Sequence, residues 1–242
     1  MEKKWFDIHN HILPSVDDGA KDWDESKEML QIAYDEGIRY MIVTPHYSIR
    51  RWCAPYDKLK EQLTILQKLA YEIDKSFKIS LGNELYYQQD APELLQNRTV
   101  QTMAGSDYVL VEFSPVQDFR YIQNALYQLL MEGYFPILAH IERYDCFMKN
   151  FKYVVNLTRM GIYVQVNASS VVGENGFSTK RFVRKCLEED LVHFIGTDAH
   201  GAKKRPPFIR KCAKYLEKKY GNKRVENLLY DHPMNIIKNQ SI

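Results

Sequence analysis

Two spacings alternate along this chain. Stretches with apolar residues every three or four positions, the period of a helix packed on one face, lead into short runs that are apolar throughout, the pattern of a strand buried on both sides. The run at 5–8 (Trp-Phe-Asp-Ile) comes first. A helix is predicted over 24–36, capped by Asp24 and stopped by Gly37, and the run 40–43 follows. A helix over 56–75 sets Leu59, Leu63, Leu66, Leu69 and Ile73 on one stripe ahead of a strand at 77–82. Then come a short helix at 91–96 and a strand at 108–111, a helix over 121–132 stopped by Gly133 and a strand at 135–139, and a helix ending at Gly161 with a strand at 162–166. A helix over 178–190 capped by Ser178 and a strand at 191–196 close the repeat, and the tail adds helices at 208–220 and 222–230.

Seven such strands, separated by helices with no linker or low-complexity segment, predict an α/β fold in one domain over residues 1–242. Seven consecutive β/α units favour a closed or nearly closed barrel over an open doubly wound sheet. Each strand ends on polar residues: His9 and His11 after the first, then His46, Glu84, Glu112, His140, Asn167, and Asp198 with His200 after the last. The C-terminal ends of parallel strands converge on one face, so these side chains are expected to meet. Gly19 can turn Asp17 or Asp18 back toward His9 and His11.

Composition narrows the function without redirecting it. Hydrophobic residues make up 45% of the chain and charged residues 26%, as in an ordinary soluble protein. The net charge of +2 offers no global field for nucleic acid or membrane, and no apolar run reaches the roughly 18 residues of a membrane span. Met1-Glu2-Lys3-Lys4 is followed by too few apolar residues for a signal segment, and Cys53, Cys146, Cys186 and Cys212 are scattered as in a reducing compartment. A cytoplasmic protein is expected, and nothing in the pattern specifies an oligomer.

Five histidines (His9, His11, His46, His140, His200) and four carboxylates (Asp18, Glu84, Glu112, Asp198) at one mouth would repel one another without cations. Nine donors exceed one ion's needs. Two or three ions bridged by a carboxylate such as Glu84 would use them, and mixed imidazole and carboxylate ligation suits manganese, iron or zinc. Clustered divalent ions activate water for phosphoryl ester hydrolysis, and Arg143 and Arg205, on the same loops, can bind phosphate oxygens. His193 and His232 fall outside the cluster and are read as structural. Tyr47, Trp52, Tyr86 and Tyr87 lie near the mouth, to pack on a substrate ring or in the core and rim, and Arg50 and Arg51 can line it.

Asp-Ile-His-Asn-His at 7–11, Asp-Asp-Gly at 17–19, Thr-Pro-His at 44–46, Gly-Asn-Glu at 82–84, Val-Glu-Phe-Ser at 111–114, Ala-His-Ile-Glu-Arg-Tyr-Asp at 139–145, Gln-Val-Asn-Ala-Ser at 165–169 and Asp-Ala-His at 198–200 resemble the polymerase and histidinol phosphatase (PHP) family. With Arg-Pro-Pro at 205–207, they resemble its branch of bacterial manganese-dependent protein-tyrosine phosphatases. The resemblance implies a distorted, TIM-like (β/α)7 barrel of the PHP fold and a trinuclear Mn2+ site. It implies that His9, His11, Glu84 and Asp198 hold one ion, Glu84, Glu112 and His140 a second, and Asp18, His46 and His200 a third. It further implies that Arg143 and Arg205 bind phosphate, and that the substrate is the phosphotyrosine-bearing tail of a kinase governing capsule or exopolysaccharide synthesis. The alternatives are a small-molecule phosphatase of the histidinol-phosphate type and a non-catalytic metal-binding module. No cysteine stands six residues before an arginine in a phosphate-cradling loop, which excludes a thiol-based phosphatase.

Overall fold

The structure, a computed structural model, describes residues 4–242. Met1-Glu2-Lys3, the start of the segment read above for a signal sequence, lies outside the described residues. β1 (Trp5–Asp7) leads to α1 (Trp23–Glu36), β2 (Ile38–Val43), β3 (His46–Tyr47), α2 (Tyr56–Ile73), β4 (Lys78–Leu81), β5 (Glu84–Tyr86), α3 (Ala91–Gln96), β6 (Tyr108–Glu112), α4 (Phe119–Met131) and β7 (Phe135–Leu138). Then follow α5 (Asp145–Lys149), α6 (Lys152–Arg159), β8 (Tyr163–Asn167), α7 (Ala168–Val172), α8 (Phe177–Glu188) and β9 (Phe194–Gly196), with α9 (Arg210–Tyr220), α10 (Asn222–Glu226) and α11 (His232–Lys238) as the tail.

All the strand pairs are parallel, in the orders β1-β2-β4 and β3-β5-β6-β7-β8-β9. β3 and β5 continue β2 and β4. Tyr40 faces Lys78 and His46 faces Glu84 at the same offset, while Gly82 N–H donates to Val43 O (2.8 Å) and Glu84 N–H to Pro45 O (3.1 Å) across the gap. Pro45 accepts but has no N–H to give, which interrupts the ladder. Counted this way, the described residues hold the seven expected strand units.

The seam between first and last strands closes the barrel. Asp198 N–H donates to His9 O (2.7 Å), His11 N–H donates to Ala199 O (2.8 Å), and Thr197 donates its N–H and hydroxyl to the Asp7 carboxylate (2.9 and 2.6 Å). Burial lifts Asp7 to about 6 against the pull of these hydrogen bonds. A doubly wound sheet would put its first strand inside the sheet, away from the last, and leave two edges open. Here the first and last strands meet, on the side where the ligand candidates stand.

Alternation in β6 shows how the sequence builds the mouth. Val109 and Val111 pack outward against helices, while Tyr108 and Leu110 fill the lumen with Phe6, Ile8, Ile42, Ile137 and Phe194. Glu112 continues the inward stripe one step above this apolar layer. The lumen is therefore a dry floor, and the polar groups stand on it.

Element ends differ from expectation where side-chain chemistry decides them. Asp22, not Asp24, caps α1, its carboxylate accepting the Glu25 N–H (2.9 Å). α8 starts at Phe177 after Gly176 rather than at a capping Ser178. β9 is shorter than 191–196, because Asp190 turns left-handed (φ +57°) and Leu191 N–H bonds back to Cys186 O (2.9 Å). Among the described residues no helix is long and apolar enough to cross a membrane.

His193 is structural: Val164 N–H donates to its Nδ1 (3.1 Å), and His232 Nδ1 donates to its carbonyl (2.8 Å). Burial and the neighbouring His232 push the His193 pKa down to about 4. The folded chain thus binds fewer protons than the unfolded chain between pH about 6.5 and 4, so stability is full above that window and falls as pH drops through it. His193→Gln in metal-free protein is expected to remove about 3 kcal/mol of this acid-dependent loss. Urea midpoints at pH 7 and pH 4 check it, and an unchanged pH slope would contradict it.

Candidate active site

The carboxylate of Glu84 is the hub. It is fully buried, and four imidazoles converge on it: His9 Nε2 (3.0 Å), His11 Nε2 (3.1 Å) and His46 Nδ1 (3.1 Å) on Oε2, and His140 Nε2 (2.8 Å) on Oε1. Three sets of donor atoms each lie within 4.8 Å of one another: His9, His11, Glu84 and Asp198; His46, Glu84 and Glu112; and His11, Asp18, His46 and His200. His140 Nε2 borders the second set, 3.4 Å from Glu112 Oε1. All nine expected residues therefore meet in one place. His46 stands between two of the sets rather than in one, since its Nδ1 faces Glu84 and Glu112 and its Nε2 lies 3.5 Å from Asp18.

Neighbours with no place in the cluster fix the rings. Of the two acidic candidates in the turn, Asp17 faces away and accepts from His11 Nδ1 (2.7 Å), His46 N–H (2.8 Å) and Gly19 N–H (2.9 Å). Asp18 is the one facing His46 and His200, with its side chain half exposed. Gly19 is required by contact, because a Cβ there would lie 2.0 Å from His11 O. Gln165 accepts from His9 Nδ1 (3.2 Å) and His140 N–H (2.7 Å) and donates to Asn167 Oδ1 (2.9 Å), and Asn167 donates to Asp198 Oδ2 (2.8 Å). Glu142 accepts the Asn167 N–H (2.9 Å). Sequence reasoning missed the roles of Gln165 and Glu142; the signal available for Gln165 was a polar residue inside an apolar strand run. His140 (φ +32°) and Asp198 (φ +54°) are left-handed, a conformation costing about 1–3 kcal/mol each for non-glycine residues. Their N–H groups are tied to Gln165 and His9, which holds them there.

The donor set fits divalent ions. With Nδ1–H of His9 given to Gln165, its Nε2 lone pair faces the oxygens of Glu84 (3.0 Å) and Asp198 (3.5 Å), a lone-pair repulsion that a metal ion between them relieves. Glu84 Oε2 and Asp198 Oδ1 are buried with no hydrogen-bond partner among the described residues. Atoms within 4.8 Å of one another can share an ion at about 2.0–2.6 Å. Protonation follows the charges. Burial disfavours ionised carboxylates, yet the surrounding histidines, joined at Asp198 by Arg143, hold Glu84 and Asp198 well below their usual values. His11, against the cost of burial, is raised well above its usual value by Asp17, and His140 rises to about 9 through Glu112 and Glu84 despite burial and Arg143. Burial and the charge of His11 drive His200 down to about 2.

Arg143 and Arg205 reach in from two different loops, after β7 and after β9. Each guanidinium Nη2 lies 2.5 Å from the same oxygen, Asp198 Oδ2, and their side chains are 38% and 42% exposed. The Arg205 carbonyl accepts the His200 N–H (2.9 Å), which folds loop 201–204 back and sets the guanidinium beside the cluster. Two partly exposed guanidinium groups flanking a metal-capable cluster have the charge and donor geometry that can bind a tetrahedral oxyanion. The four aromatic candidates divide. Tyr47 and Tyr87 are buried, Tyr87 stacking on Phe113 and donating to Gln128 (3.0 Å). Trp52 stacks on His46 at 4.6 Å with Arg51 over its ring, and Tyr86 alone of the four is exposed.

The sequence model of the family described as "Capsular polysaccharide synthesis, CpsB/CapC" matches residues 5–238. Tyrosine-protein phosphatase CpsB of Streptococcus pneumoniae is 38% identical over 241 residues, spanning 98% of this chain and 99% of that protein. Tyrosine-protein phosphatase YwqE of Bacillus subtilis is 30% identical over 98% of this chain and 92% of its own length. A chain from the crystal structures of YwqE and CpsB, described as metal-dependent tyrosine phosphatases, superposes with a TM-score of 0.91 at 30% identity, over 98% of this chain and 96% of that one. Histidinol phosphate phosphatase from Lactococcus lactis, solved with zinc, L-histidinol and phosphate, shares the barrel fold with a TM-score of 0.61 at 16% identity, over 90% of this chain and 94% of its own. The match of both sequence and fold along nearly the whole chain places it in the CpsB/CapC family, to which it belongs.

Proposed function

We propose that this protein is a metal-dependent protein-tyrosine phosphatase. One observation carries the reading: three interlocking groups of metal-capable side chains share Glu84, His11 and His46, and two arginines meet on the Asp198 carboxylate of the same cluster. We assign His9, His11, Glu84 and Asp198 to one ion, Glu84, Glu112 and His140 to a second, and Asp18, His46 and His200 to a third. Hard, mixed ligands without thiolate favour Mn2+, with iron or zinc as the other metals this set accepts. When bound, such ions supply Lewis acidity and lower the pKa of the attacking water.

The chain's own groups do the rest. Arg143 and Arg205 exchange their grip on Asp198 for the non-bridging oxygens of the phosphoryl group and hold the charge that grows there in the transition state. Gln165, Asp17 and Asn167 keep the imidazoles and Asp198 from turning as the substrate arrives. The floor of Tyr108, Leu110, Ile137 and Phe194 keeps water out from below. A phenolate leaves readily, so the site needs no strong general acid. The buried hub favours a phosphate on a long arm, and tyrosine provides a longer one than serine. The substrate proposed is a phosphotyrosine-bearing kinase tail in the cytoplasm, governing capsule or exopolysaccharide synthesis; the family description, which names capsular polysaccharide synthesis, supports this.

Exhaustive chelation is expected to abolish turnover and Mn2+ to restore it, read as phosphate release beside metal analysis; full activity in metal-free protein would overturn the reading. On matched peptides, kcat/KM for phosphotyrosine is expected to exceed that for phosphoserine by roughly ten- to a hundredfold. Equal rates, or faster turnover of histidinol phosphate, would reassign the substrate and leave the metal cluster standing.

A further inference from the structure

We propose that a cleft between α8 and α9, beside the mouth, binds a second phosphotyrosine of the same substrate chain; the inference rests on the phosphatase activity proposed above. Phe177, Lys180, Arg181 and Arg184 recur at helical spacing along one stripe of α8, opposite the buried Phe182, Val183, Cys186 and Leu187. With Tyr215 of α9 they line a cleft of about 380 Å³ that no acidic residue enters. Phe177 is 83% exposed, so its ring stands open at the edge of the cleft.

The three cations differ in what already holds them. Lys180 Nζ donates to Val172 O (3.2 Å) and lies 5.4 Å from the centre of the Tyr215 ring, and Arg184 Nε lies 3.6 Å from Glu188. Gly173 (φ +91°) makes room for that lysine, since a Cβ there would lie 2.6 Å from Lys180 Cδ. Arg181 has no ion pair or hydrogen bond among the described residues. An unpaired guanidinium flanked by two aromatic rings and two further cations is complementary to an aryl phosphate: charge for the phosphoryl oxygens, ring faces for the arene. The chain as a whole carries only +2, so this concentration is local. A flat lipid surface would not enter a concave cleft.

Position ties the cleft to the mouth. Asn167 touches Asp198, the five-residue α7 follows at once, and its last residue, Val172, is the one Lys180 contacts. That helix spans about 8 Å, which an extended peptide crosses in roughly three residues at ~3.3 Å each. Phosphotyrosines about four to six residues apart can therefore occupy both sites, the first raising the effective concentration of the second.

The test uses full-length, metal-loaded protein and peptides in which one or two phosphotyrosines, five residues apart, are replaced by the non-hydrolysable phosphonodifluoromethyl analogue. Two analogues are expected to bind about tenfold more tightly than one. Arg181→Glu should erase that gain while turnover of p-nitrophenyl phosphate stays unchanged, and Phe177→Ala should reduce it. No gain in the unaltered protein, or a gain that survives Arg181→Glu, overturns the proposal. So does adherence of this face to anionic vesicles without any gain for the doubly substituted peptide. Absence of p-nitrophenyl phosphate turnover in both proteins would count against the phosphatase reading alone, because peptide binding still judges the cleft.

Discussion

Glu84→Gln is expected to strip the cluster of its ions and lower kcat/KM by at least about a thousandfold, beyond the roughly 10–100-fold that loss of an outer hydrogen-bonding partner brings. The substitution keeps the size of the side chain and removes only its charge. Four imidazole nitrogens lie 2.8–3.1 Å from that carboxylate, and two of the three metal-capable groups contain it. A neutral amide would present an N–H toward those nitrogens and could not bridge cations. Removing the shared anion therefore weakens both groups at once, where a change at Asp18 touches one. Metal content by elemental analysis, set beside phosphate release from a phosphotyrosyl peptide, checks this. A full complement of ions in the variant, or activity within tenfold of the parent, would contradict the bridging role.

Arg143→Ala and Arg205→Ala are expected to do the reverse, keeping the ions and losing rate by about 10²–10³-fold each. In the structure both guanidinium groups sit on Asp198 Oδ2, where their positive charge opposes a cation at the same residue. Taking one away leaves Asp198 still held by Asn167 and more attractive to a metal. What is lost is charge stabilisation on the phosphoryl oxygens, so kcat should fall more than KM rises. Metal loss in these variants comparable with that in Glu84→Gln would refute the separation of roles. An effect confined to KM would move both arginines from transition-state stabilisation to simple substrate capture.

The alternation of helix and strand spacing carried the architecture, because a parallel strand buried on both faces has to be apolar throughout and its helix has to be amphipathic. It also placed the polar residues at the strand ends, and the barrel's parallel order brings those ends to one rim. Element ends were less legible. Asp24 reads as the cap on paper, and only the backbone path shows that it is the Asp22 carboxylate that reaches the Glu25 N–H. The same holds for Asp17 and Asp18, adjacent acids in one turn that the fold sends in opposite directions, one to orient His11 and the other toward His46 and His200.

The sequence by itself determined which chemistry this protein carries: residue types and their order specify imidazoles and carboxylates at successive strand ends, and those need nothing beyond local periodicity to be read. Tertiary structure alone decided how they share. That Glu84 is the hub, that His46 lies between two groups, that Gln165 ties His9 to His140, that Asp7 locks the seam through Thr197, and that two arginines 62 positions apart in number (143 and 205) share one oxygen are all consequences of distances across the barrel. The physical reason is range: periodicity reflects interactions a few residues apart, whereas a metal-capable cluster is set by angles and distances of a few ångströms between side chains far apart in the chain, fixed only once the sheet has curled and closed.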